Sequence, residues 1–123
     1  MLAFKDAVKT AIPEARNGPI FGKKEAVSMT IKFYLKRPNS DFVRGIRNAG
    51  ALKACFHGLF SAALIRPDID NLCKFVLDSC NGILYYDDFQ VVKLVALKLR
   101  DNTGNCMGRT VIEIAPFQNH EAL

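Results

Sequence analysis

Leu2, Phe4 or Lys5, Val8 and Ile12 recur at near-helical spacing, which predicts a surface helix over residues 2–12. Pro13 and the Asn17-Gly18-Pro19 cluster end it. Residues 26–36 alternate instead. Val27, Met29, Ile31, Phe33 and Leu35 face one way, and Ser28, Thr30, Lys32, Tyr34 and Lys36 face the other. That period of two is a half-buried strand. Arg37-Pro38-Asn39-Ser40 stops it, and a basic loop with Arg44, Arg47 and Lys53 follows. Within 50–64, Leu52, Cys55, Phe56, Leu59, Phe60 and Ala63 return to helical spacing and predict a short helix.

The period of residues 70–80 is helical, with Leu72, Phe75, Val76 and Ser79 as the inward stripe. Asp70 or Asn71 is the expected N-cap, and Asn81-Gly82 the left-handed stop. Residues 90–100 read as a second long strand. Val92, Leu94, Ala96 and Lys98 lie on one face; Val91, Lys93, Val95, Leu97 and Leu99 lie on the other. A turn from Asp101 to Gly108 leads to a third strand, Thr110 to Ile114, expected antiparallel to the second. Helices and strands mix without a βαβ rhythm. The expected class is therefore α+β, with a small mixed or antiparallel sheet and two or three helices in a single domain, 1–123.

Composition adds bounds. A chain of 123 residues, half hydrophobic and 24% charged, suits one globular domain. Apolar runs are too short and too interrupted by charge to span a bilayer, and the N-terminal stretch lacks the features of a secretory signal. Cys55, Cys73, Cys80 and Cys106 form no CxxC pair, and only His57 stands near one, so the spacing argues against zinc. Cys73 and Cys80, seven apart on one helix face, read as buried free thiols. Seventeen Lys and Arg against 12 Asp and Glu give +5. Neutralising three aspartates would leave nine acids against 17 bases, or +8. A basic surface around a small acidic centre suits a polyanion.

The chemistry concentrates between Arg66 and Val91, RPDIDNLCKFVLDSCNGILYYDDFQV. Pro67 disfavours helix at Arg66, which puts Asp68 and Asp70 at the end of an extended stretch. Residues two apart in such a stretch project to one side, roughly 7 Å apart along it. Asp87-Asp88 follows the helix and can return to its N-terminal side, so that three or four carboxylates converge. Hard oxygen ligands with open positions are what Mg²⁺ takes, and Mg²⁺ is the metal of phosphodiester hydrolysis. One or two ions would satisfy the pattern. Lys74, one helical turn after Asp70, has two readings: a cation for the scissile phosphate, or the middle of an Asp70–Lys74–Asp78 ladder worth roughly 0.2–0.5 kcal/mol per pair. Asp78 reads as a solvated charge or a partner of Lys74. Phe89 is expected to pack rather than to stack on a base.

The combination PDxDNxxK and NGxxYxDDxQV resembles the signature of the RusA family of crossover-junction endodeoxyribonucleases (Holliday junction resolvases). In that signature a basic residue, Pro, Asp, a hydrophobic residue, Asp, Asn and Leu precede a Lys, a Leu-Asp, a Gly and Asp-Asp-x-Gln. The matching run here is Arg66-Pro67-Asp68-Ile69-Asp70-Asn71-Leu72, Lys74, Val76-Leu77-Asp78, Asn81-Gly82 and Asp87-Asp88-Phe89-Gln90-Val91.

The resemblance implies catalytic carboxylates at Asp68, Asp70 and Asp88, a catalytic lysine at Lys74, and Asp87 as a further candidate ligand. It implies Mg²⁺, with Mn²⁺ able to substitute, and a homodimer that nicks four-way junctions symmetrically in DNA recombination and repair. Lys36, Arg37, Arg44, Arg47, Lys53 and Arg66 are the candidate DNA contacts. The expected location is intracellular, with the DNA: cytoplasm or nucleoid in a bacterium or phage, nucleus or organelle in a eukaryote.

Two features depart from the pattern. Family members usually begin with a strand ahead of the first helix, which is not in this sequence. Gly50 to Ile65 is also more apolar than the basic loop expected there. The alternative reading is thus a catalytically weak, nucleic-acid-binding remnant of the same fold.

Overall fold

Complete burial of Val27, Met29 and Ile31 makes β1 (Val27–Leu35) the centre of the sheet. Removing each such side chain from water stabilises the fold by roughly 1.5–3 kcal/mol. The predicted alternation holds along the strand, with Phe33 also buried and the intervening residues half-buried. The computed structural model describes residues 1–36, 41, 45, 66–100 and 108–118. The predicted helix at 50–64, Cys55, Cys106, and the basic residues Arg37, Arg44, Arg47 and Lys53 lie outside the described residues.

The elements run α1 (Leu2–Ala11), a 3-10 turn (Pro13–Asn17), β1, α2 (Ile69–Ser79), a 3-10 turn (Asp88–Gln90), β2 (Val91–Arg100) and β3 (Arg109–Pro116). The protein is α+β, with two helices and a three-stranded mixed sheet in the order β2-β1-β3. Gln90, just before β2, hydrogen-bonds Gly22 and Glu25, just before β1; these two strands start side by side and run parallel. The Phe117 amide, just after β3, donates to the Ala26 carbonyl at 2.8 Å, so β3 is antiparallel to β1.

The third strand therefore pairs with the first, not with the second as the sequence suggested. A fully buried strand needs a partner on each side, and β1 is that strand. By contrast β2 exposes Val92, Leu94, Val95 and Leu97 on both faces and is an edge among the described residues. The segment β1–α2–β2 is consequently one parallel crossover, although the sequence carried no βαβ rhythm.

Two compact units can be distinguished: Met1–Thr30 with Pro67–Val95 and the chain from Glu113, and Ile31–Arg66 with Ala96–Ile112. In the second unit, Arg100 Nη1 lies 3.2 Å from Asp41 Oδ2, and the Arg109 guanidinium lies 4.6 Å from the Tyr34 ring centroid. Helix α2, the Asp87-Asp88 turn and the Gly22–Glu25 turn belong to the first unit.

Helix α2 begins one residue earlier than the pattern suggested. Its N-cap is Asp68, in an extended conformation (φ −69°, ψ 148°), and not Asp70 or Asn71. The Asp68 carbonyl already accepts from the Leu72 amide at 3.2 Å, the first bond of the helix. The inward face is Cys73, Val76 and Ser79, with Cys80 just beyond. Leu72 is half-buried. Phe75 is turned outward, its ring meeting Phe4 of α1 edge-on at 5.4 Å. The helix stops as predicted, with Gly82 at φ +77°.

Cys73 and Cys80 are free and buried, as their spacing implied. Burial pushes both thiols up, with the charge of Asp70 adding to the effect at Cys73; Cys80 rises to about 11. The folded thiol of Cys80 thus titrates above the ordinary value of 9.0. Its stabilising contribution is complete below pH 9 and is lost as pH climbs toward 11. Iodoacetamide at pH 8 should leave both cysteines unlabelled in the native protein and label both in urea. Peptide mass spectrometry reads the result, and rapid native labelling would contradict this burial.

Candidate active site around the Asp87-Asp88 turn

The connection from α2 to β2 is held from inside. The Tyr85 side chain is fully buried, and its hydroxyl donates to the Leu77 carbonyl at 2.7 Å, pinning the connection to the last turn of α2. Burial, then the negative charges around it, raise the phenol well above its ordinary value. The Gly82 amide closes the loop onto the Tyr85 carbonyl at 2.7 Å. The next residues, Tyr86 and Asp87, emerge at the surface.

Asp87 caps the 3-10 turn: its Oδ1 accepts from the Asp88 amide at 2.7 Å. Gln90 returns the bond, its Oε1 accepting from the amides of Tyr86 at 2.8 Å and Asp87 at 3.1 Å. The other end of the same side chain reaches far along the sequence. Gln90 Nε2 donates to the carbonyls of Gly22 at 2.7 Å and Glu25 at 3.0 Å. Gln90 is only 3% exposed, so four hydrogen bonds are made where water cannot replace them. The segment is fixed further by the Ile20 and Phe21 amides, both donating to the Leu84 carbonyl, and by Glu25 Oε1, which accepts from the Gly22 amide at 2.8 Å. One buried glutamine thereby holds the Lys23-Lys24 turn beside Asp87-Asp88.

Asp88 is half-buried between two other carboxylates, Asp87 and Asp78. Desolvation, then its hydrogen bond with Asp87 and the charges of Asp87 and Asp78, hold its carboxyl above the usual range. Asp78 is therefore neither simply solvated nor the partner of a lysine; it faces Asp88. Lys74 is exposed, and among the described residues it makes no ion pair with Asp70 or Asp78, so the Asp70–Lys74–Asp78 ladder does not form.

The other predicted carboxylates sit at the opposite end of α2. Asp70 lies in its first turn, exposed, and Asp68 is the exposed N-cap. Because the backbone is helical from Ile69 onward, the extended-chain geometry assumed for the pair does not apply. A rise of about 1.5 Å per residue puts Asp70 and Asp78 roughly 12 Å apart along the axis. The structure brings Asp88 to Asp78 and Asp87 but does not gather Asp68, Asp70 and Asp88. Among the described residues no group of three or more His, Cys, Asp or Glu is arranged to hold a metal ion. The donor chemistry suits a hard cation; the spacing in this arrangement does not.

Of the predicted DNA contacts, Lys36 and Arg66 are described and exposed. Phe89 does not pack: it is 72% exposed. Lys23, Lys24 and Tyr86 were not singled out from the sequence, and Gln90 entered only as a position of the family signature. The signals were present in the lysine pair and in aromatics flanking the acidic pair.

Among the described residues no helix is long and apolar enough to cross a membrane. The family model of the endodeoxyribonuclease RusA matches residues 1–115, and the chain belongs to that family. Holliday-junction resolution is the activity of the family in general. No curated protein matches the chain significantly.

Proposed function

We propose that this protein is a Mg²⁺-dependent endonuclease that resolves four-way DNA junctions by paired symmetric nicks, in recombination and repair, and acts where the DNA is. The observation that carries the reading is the complete signature from Arg66 to Val91 inside a family match over residues 1–115.

By the family signature Asp68, Asp70 and Asp88 would hold the metal, with Asp87 as a further ligand and Mn²⁺ as a substitute; this requires bringing together carboxylates that stand apart in the arrangement described above. The metal would polarise the phosphate and supply a hydroxide. The raised Asp88 supports this role in part, since crowded carboxylates favour a cation. Lys74, exposed on α2, would stabilise charge developing on the scissile phosphate. Lys36 and Arg66, with Arg37, Arg44, Arg47 and Lys53, would contact the DNA backbone.

Two coordinated cuts need two sites, hence a homodimer. The apolar face of β2 is consistent with one: a strand that is an edge among the described residues and exposes Val92, Leu94, Val95 and Leu97 invites a partner.

A catalytically weak binding remnant is the second reading. It is favoured by the separation of Asp68 and Asp70 from Asp88. A labelled synthetic four-way junction, with linear duplex as control, in Mg²⁺ and in EDTA, separates the two. Symmetric metal-dependent nicks on the junction support the resolvase; binding without cleavage at any Mg²⁺ or Mn²⁺ concentration supports the remnant. Lys74→Ala should slow cleavage about a hundredfold or more while changing junction affinity only a few-fold. Equal losses in rate and affinity would reduce Lys74 to a phosphate contact.

A further inference from the structure

The residue after Asp88 is the most exposed aromatic ring of the described residues, and it borders a pocket. Phe89, Val92 and Ala26 supply its apolar lining, Lys23, Lys24, Glu25 and Gln90 its polar lining, and the volume is about 200 Å³. Such a pocket is smaller than those that enclose drug-sized ligands. It suits one flat ring laid against one wall. Tyr86, 47% exposed, stands on the other side of the acidic pair, with the Lys23 ammonium 5.3 Å from its ring centroid.

Leaving a phenyl ring in water has a hydrophobic cost, and nothing in the local fold needs it there: the 3-10 turn is made by Asp87 and Gln90. The neighbouring charges point to the occupant. Lys23 and Lys24 set two positive charges against the single carboxylate of Glu25, which also accepts from the Gly22 amide. An aromatic face beside paired ammonium groups matches a base and its phosphates. Gln90 fixes this wall and the lysine turn to each other through backbone carbonyls, so the subsite is preformed.

We propose that Phe89, with Lys23 and Lys24, forms a subsite for one unstacked base of DNA and its adjoining phosphates, next to the nucleotide presented to Asp88. Stacking on Phe89 selects DNA whose bases are already loosened, as at a branch point, because unstacking a base within intact duplex costs a few kcal/mol. The inference rests on the nuclease reading and assigns that site a means of distinguishing branched from linear DNA.

The test uses the full chain, four-way junctions carrying single 2-aminopurines at positions flanking the branch, and a 2-aminopurine-labelled single strand, in EDTA. At one flanking position, binding of the wild-type protein should change the probe's fluorescence. Phe89→Ala should abolish that change and weaken junction affinity roughly tenfold to a hundredfold. Phe89→Tyr should restore both, and Phe89→Leu neither. Lys24→Ala should lower the slope of log affinity against log salt by about one.

Thermal melting checks that each variant is folded. A Phe89→Ala protein that binds and reports as wild type overturns the subsite while leaving the nuclease reading intact. So does a loss that gel filtration traces to a broken dimer, which would make this face a protein interface. A wild-type protein that binds the single strand with the predicted fluorescence change, yet never cuts a junction, supports the subsite and overturns the nuclease reading instead. Absence of binding to both DNAs overturns both.

Discussion

Replacing Asp70 with asparagine should abolish junction cleavage, by about a thousandfold or more, and leave junction binding intact or tighter. The side chains are isosteric, so the change removes charge without removing volume. Asp70 is exposed in the first turn of α2, where its negative charge interacts with the helix N-terminus for about 0.3–1 kcal/mol. The fold should lose no more than that, and the melting temperature should move by only a few degrees. The effect on rate is of another order. A carboxylate that holds a metal against a phosphate supplies charge only where it is needed, and losing one such group costs about 10²–10³ in rate or more. Binding responds in the opposite direction because a negative charge facing the phosphate is gone. Gel shifts in EDTA read the affinity, and labelled junctions in Mg²⁺ read the rate. An Asp70→Asn protein that still cuts would remove Asp70 from the site.

Gln90→Ala should be among the most destabilising single changes on the chain. Four hydrogen bonds disappear together: two to the Tyr86 and Asp87 amides and two to the Gly22 and Glu25 carbonyls. A net contribution of roughly 0.5–1.5 kcal/mol each, plus unpaired buried groups, predicts a loss of about 3 kcal/mol. For a chain of this length that is a fall of roughly 10 °C in melting temperature. Gln90→Glu is the informative companion. It keeps the acceptor that serves Tyr86 and Asp87, replaces the donor that reaches Gly22 and Glu25 with a second acceptor, and adds charge beside Asp87. It should be no better than alanine at neutral pH. Calorimetry decides, and a Gln90→Ala protein with unchanged melting would mean that the turn is held by Tyr85 alone.

The periodic elements were legible because their periods are set by the local backbone. β1, β2 and both helices fall within one or two residues of their predicted spans. Strand pairing was not legible. Alternation along residues 110–114 says that a strand exists, but the choice of β1 over β2 as its neighbour depends on which strand is fully buried. The same limit applied to the site. Asp68, Asp70 and Asp88 are recognisable as a set, yet their distances depend on where α2 begins and on where the chain returns after it. Asp78 looked like an ordinary surface charge because nothing in a helix pattern reveals that a later loop will lay a second carboxylate on it. Gln90 looked like the first residue of a strand; its role becomes visible only when residues 65 and 68 positions earlier come within reach.

The grip of Gln90 on the Gly22–Glu25 turn has a practical consequence. It takes hold of main-chain oxygens, which every amino acid possesses, and leaves the side chains of Lys23 and Lys24 out of the anchorage. Residues 23 and 24 thus occupy a fixed platform whose chemistry can be rewritten without disturbing the frame beneath it. Lineages, or an engineer building a small library, could vary that dipeptide widely and keep a folded protein in each case.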